Sequence, residues 1–141
     1  MTAATLADPG ATVPKQSQRR AGWVLSGLVI AFLAMDAAMK LANLPIVAET
    51  MAQLGWPADA GTIYLLAALL LGSTLLFAVP RTAMLGAILL TAYLGGAIAT
   101  HVRVGSPLFS HILFGVYLGI MIWGGLWLRD PRLRTLIPLR D

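Results

Sequence analysis

Five ionisable side chains in this sequence, Asp36, Lys40, His101, Arg103 and His111, have the types needed to bind a polar ligand group and move a proton to it. Carboxylates and imidazoles exchange protons as general acids and bases, while an ammonium or guanidinium stabilises a developing oxyanion. The two histidines also have the donor atoms for axial ligation of a haem iron. Lys40 follows Asp36 at the i+4 spacing that puts both on one helix face. What such a set can do depends on its solvent. An ionisable group at the centre of a membrane helix costs roughly 2.5–3.5 kcal/mol on insertion scales and needs a reason to be there.

The composition says that the solvent is largely lipid. Of 141 residues, 58% are hydrophobic without counting glycine and 11% are charged. That excess exceeds what a soluble domain of this length buries, so it must face a bilayer. The formal charge of +4 comes from basic residues that flank apolar runs and form no stripe among stacking aromatics, which argues against a nucleic-acid partner. Cysteine is absent, so disulfides, thiolate metal sites and CxxC redox chemistry are excluded.

Four apolar runs, about 22–42, 61–79, 82–102 and 108–128, each have the roughly 20 residues that span a bilayer. In hydrocarbon they must be helices, because only a helix pairs its own backbone polar groups. The expected fold is all-α: an antiparallel bundle of four transmembrane helices spanning 21–130, with a disordered tail over 1–20 and a basic tail over 131–141. Pro80-Arg81 forces spans two and three into a tight hairpin, with Thr82 placed to cap the third. Ser106 as N-cap and Pro107 at the first helical position start the fourth. Between spans one and two, Ile46, Val47, Met51 and Leu54 recur at helical spacing and predict a short amphipathic surface helix that Gly55 ends. Small-xxx-small pairs, Ala68/Gly72, Ala92/Gly96, Gly95/Ala99 and Gly115/Gly119, predict close internal packing with the third span at the centre.

Orientation follows from the basic residues. Lys15, Arg19, Arg20, Arg81, Arg129, Arg132, Arg134 and Arg140 fall on one side, and Lys40 and Arg103 on the other. The positive-inside bias puts both termini in the cytoplasm. Trp23, Trp123 and Trp127 then mark the inner interface and Trp56 the outer one. In that frame the five ionisable groups share the outer leaflet, with Tyr64 and Thr100 near their level and Glu49 of the surface helix above them. They predict a polar pocket open to the outer side. Each also has a structural explanation: Asp36 and Lys40 as a self-satisfying ion pair, Arg103 as an interfacial anchor, the histidines as inter-helix hydrogen bonders. Their coincidence at one depth favours a site.

Several stretches carry a resemblance: Asp36 and Lys40 closing the first helix, LGW at Leu54 to Trp56, PRTAMLGAILLTAYLGGAIATHVRVGSPLFSH from Pro80 to His111, and the closing WLRDPRLR. Together they resemble the DoxX-like membrane proteins of bacteria over nearly the whole chain after Ala21. The resemblance implies a multi-pass protein of the bacterial inner (plasma) membrane. In the wider DoxX group, some relatives are described as subunits of a thiosulfate:quinone oxidoreductase and others as partners in complexes that handle oxidative stress. No catalytic motif of the family can be carried onto particular residues here.

Four functions fit to differing degrees. The favoured one is a non-catalytic accessory subunit whose outer pocket, formed by Asp36, Lys40, His101, Arg103, His111, Glu49 and Tyr64, holds a small lipophilic ligand such as a quinone beside a redox partner. The alternative is a structural partner that stabilises another membrane protein. Haem on His101 and His111 is disfavoured because the short loop between spans three and four brings their helices close. A transporter is disfavoured for lack of inverted repeats or of charges that continue a path inward. No nucleophile with its base, phosphate loop or metal-binding spacing is present, which argues against a stand-alone enzyme.

Overall fold

The computed structural model describes residues 15–134. The tail expectations for 1–14 and 135–141, Arg140 included, lie outside the described residues. Six α-helices follow in order: α1 (Gln16–Leu41), α2 (Pro45–Gln53), α3 (Ala60–Ala78), α4 (Ala83–Arg103), α5 (Leu113–Arg129) and α6 (Pro131–Arg134), with a π-helical turn, Leu108–Ile112, leading into α5. No strand occurs among the described residues, and four helices are long and apolar enough to cross a membrane. The all-α fold and the short helix between the first two spans are therefore as expected.

The first helix begins earlier than the apolar run. Gln16 opens α1, and the Lys15 amide donates to Gln18 Oε1 at 3.2 Å, so the basic pair Arg19-Arg20 sits on helix instead of in a tail. Pro131–Arg134 likewise forms a short helix where a tail was expected. At its far end α1 stops at Asn43, whose φ of 48° lies in the left-handed region that asparagine tolerates. Pro45 then starts α2 at a position where its missing N–H is harmless.

Two expected caps use their hydroxyls elsewhere. Thr82 occupies the N-cap position of α4, yet its Oγ1 turns back and donates to Leu76 O at 2.8 Å, locking the hairpin against the end of α3. Ser106 is engaged with His101 Nδ1 at 2.9 Å, and the fourth span opens on the π turn, where the Ile112 amide reaches back five residues to Pro107 O at 3.3 Å. π turns of this kind are frequent at functional sites.

The spans form a ring. α1 packs on α3 and α5, and α4 packs on the same two helices from the opposite side. No helix is central, which corrects the expectation for the third span. Close approach also occurs elsewhere than at most of the small-residue pairs. A Cβ on Gly22 would lie 2.7 Å from Gly125 O, and one on Gly86 would collide with the Phe77 backbone, whereas Gly72, Gly95, Gly96 and Gly119 face open space. Of the glycines in those pairs, only Gly115 meets a neighbour, Ile98. The buried core runs through Val29, Leu33, Leu70, Phe77, Leu90 and Ile122, and a separate small cluster of Val47, Met51 and Ile63 seats α2 on the bundle.

Arg129, expected as a flanking charge, is buried at the end that carries the termini. Its guanidinium lies 4.5 Å from the centre of the Trp23 ring and 4.9 Å from that of Phe77, and Nη2 donates to Phe77 O at 3.1 Å. A cation at this point complements the carbonyl end of α3 and ties three helices together.

Candidate functional site

At the opposite end, beneath α2, the ring of helices encloses a cavity of about 500 Å³. Its body is apolar, formed by side chains such as Leu33, Met51, Leu66, Leu94 and Leu118. Besides Thr50 of α2, its polar groups come from three elements. Asp36 and Lys40 rise from the last turns of α1, Tyr93, Thr100 and His101 from α4, and His111 from the π turn.

The i+4 spacing on α1 does what helix geometry requires: Lys40 Nζ donates to Asp36 Oδ2 at 2.5 Å. The lysine side chain is 14% exposed and the carboxylate 38% exposed, so the pair is internally neutral but still reachable from the cavity. The histidines meet edge to face, with ring centroids 5.5 Å apart and planes at 62°. Each is oriented by a serine: His101 Nδ1 is 2.9 Å from Ser106 Oγ, and His111 Nδ1 is 2.8 Å from Ser110 Oγ. With Nδ1 engaged in both rings, each Nε2 is the nitrogen available for a further partner. Direct ring contact leaves no slot for a macrocycle between the histidines, so the arrangement does not suit bis-histidine haem ligation.

The cavity unites four of the expected site residues, Asp36, Lys40, His101 and His111, and leaves three outside it. Arg103 reaches across to Leu54 O at 2.5 Å and pins the end of α2 to α4. Glu49 lies on the exposed side of α2, and Tyr64 lies exposed on α3, off the cavity wall. The tyrosine that does line the cavity is Tyr93. Its position was readable from spacing, since Tyr93, Ala97 and His101 recur every four residues and form one stripe of α4. It stands about 12 Å deeper than His101 at 1.5 Å per residue, so a search confined to one depth passes over it.

A model of the DoxX-like family matches residues 24–125. The chain belongs to the DoxX-like family. The match reaches into all four spans, covers every polar residue of the cavity, and ends before the closing WLRDPRLR. No curated protein and no solved structure matches this DoxX-like chain. Family membership and four apolar helices make it an integral, multi-pass membrane protein.

Proposed function

We propose that this DoxX-like protein is a non-catalytic accessory subunit of the bacterial inner membrane that holds a small lipophilic ligand, with a quinone as the best-suited chemistry, beside a redox partner. The observation that carries the reading is the cavity beneath α2, apolar along its body and lined as well by Asp36, Lys40, His101 and His111. A volume of about 500 Å³ falls within the range of about 300–1,000 Å³ of pockets for drug-sized molecules, and few convergent polar groups on an apolar wall are their usual pattern. The Nε2 atoms of His101 and His111 suit a carbonyl or hydroxyl oxygen, and Asp36 beside Lys40 offers a carboxylate through which a proton can pass.

The test is extraction. Protein purified in mild detergent from native membranes, with its bound lipids analysed by mass spectrometry, should carry a quinone in stoichiometric amount, and His101→Ala should lose it while remaining folded. Protein that copurifies with none, and whose melting temperature does not move on adding one, overturns the reading.

A second reading has its own support in the Asp36–Lys40 pair, which satisfies itself without a ligand. On that reading the chain is a structural partner of another membrane protein. Asp36→Asn separates the two: loss of folding alone favours structure, and intact folding with lost ligand favours the site.

A further inference from the structure

A cavity in a membrane protein can be entered from water at its end or from lipid through its side. The cavity of this protein extends well below the α2 end. Its lining includes Phe32, Ala92, Gly96 and Phe114, all inside spanning helices and all exposed. At that depth the cavity wall is thus made in part by residues that keep exposed surface.

The two sides on which these residues lie differ. On the α1–α5 side, Phe32 and Phe114 close against each other edge to face, with centroids 5.3 Å apart. On the α4 side, Gly96 has no side chain, and a Cβ built there would find nothing within 4 Å. α3 is one of the two helices that pack against α4. α3 and α4 are pressed together at their hairpin, where Gly86 meets the Phe77 backbone, yet Leu66 of α3 and Tyr93 of α4 stand on walls of the same cavity farther along. The residues of α3 and α4 that line the cavity all lie away from the hairpin.

We infer that the ligand enters and sits sideways, through a lateral window between α3 and α4 at Gly96, with its polar head among Asp36, His101 and His111 and an apolar tail left in the bilayer. The inference rests on the ligand site proposed above and narrows its ligand to tailed amphiphiles dissolved in the membrane. A cavity of about 500 Å³ accommodates a ring-sized head but not a long chain as well, and a chain projecting through the window stays in hydrocarbon throughout.

The experiment uses the full chain in lipid nanodiscs and two probes: a decyl-substituted benzoquinone and the same ring without its alkyl chain. Uptake is followed by quenching of tryptophan fluorescence, to which Trp56 on the cavity wall contributes. Gly96→Phe should slow uptake of the tailed probe by about tenfold or more while leaving the tail-less probe, which can enter from water, nearly unchanged. Gly95→Phe is the control. Gly95 is equally exposed with equally empty surroundings but does not line the cavity, and its substitution should change neither rate. Equal slowing of both probes by Gly96→Phe, or none of either, overturns the window alone. Failure of the unsubstituted protein to bind either probe overturns the ligand site and the window together.

Discussion

Asp36 and Lys40 are each other's answer to the cost of charge near lipid. Removing the carboxylate strands an ammonium that is 14% exposed. Asp36→Asn should lower stability by about 1–2 kcal/mol, less than for a fully buried pair because the carboxylate is partly open. The double variant Asp36→Asn/Lys40→Met should regain most of that loss, read as melting temperature in detergent. Ligand retention should stay lost in the double variant if the pair serves the cavity.

Arg129 makes a different bargain, since it exchanges water for two aromatic faces and the Phe77 carbonyl. Arg129→Ala forfeits the stacking and a charged hydrogen bond, a loss of about 2–4 kcal/mol. Arg129→Lys should restore less than half of it, because an ammonium cannot lie flat between rings while donating to a carbonyl. Denaturant titration in mixed micelles measures both. If lysine rescues fully, charge alone matters at this position.

At the scale of elements, the start of α3 is pH-sensitive. Asp59 accepts from the Thr62 amide at 2.9 Å and from its hydroxyl at 2.7 Å, and these bonds, the hydroxyl foremost, hold its carboxyl below the ordinary 3.8. A carboxylate with a depressed pKa stabilises the folded state fully above its unfolded value, and the contribution disappears as pH falls through the folded one. Protection of the Thr62 and Ile63 amides, taken relative to the intrinsic exchange rate at each pH, should therefore hold through neutral and mildly acidic pH and fall only below about 4. In Asp59→Ala that protection should be low throughout, with no acid transition.

The α3–α4 hairpin depends on contact instead of charge. Gly86 lies against the Phe77 backbone, which cannot yield as a flexible side chain does. Gly86→Leu should cost about 1–3 kcal/mol or more through overpacking, while the same change at the open Gly72 should be nearly neutral. Comparable melting temperatures for the two variants would contradict the packing described here. Of the two, it is Gly72 that belongs to a small-residue pair, Ala68/Gly72, and Gly86 that lies against backbone. Which one is buried depends on how each helix is rotated about its axis.

For the molecule as a whole, we propose from the positive-inside bias that both termini face the cytoplasm. The absence of cysteine makes a labelling test direct. Single cysteines placed at Gln16 and Arg132 should both resist a membrane-impermeant maleimide in intact cells, and one at Glu49 on exposed α2 should react. Labelling of only one terminal position would break the arrangement of four crossings.

The spans, the hairpin, the surface helix and the family were legible in the sequence because each is a local property. About 20 consecutive apolar side chains suffice to require a helix in lipid, whatever surrounds them. The fact that Asp36, Lys40, His101 and His111 share one end was legible for the same reason, since depth is counted along the chain. Which residues meet at that depth was decided only by tertiary structure. A helix in water announces its buried face by being apolar on one side, but a helix in lipid is apolar all round, so its rotation leaves little trace in the sequence. That is why Tyr64 lies off the cavity wall, why Arg103 is found fastening α2 to α4, and why Arg129 lies buried against two rings when its neighbours in sequence suggested a surface charge.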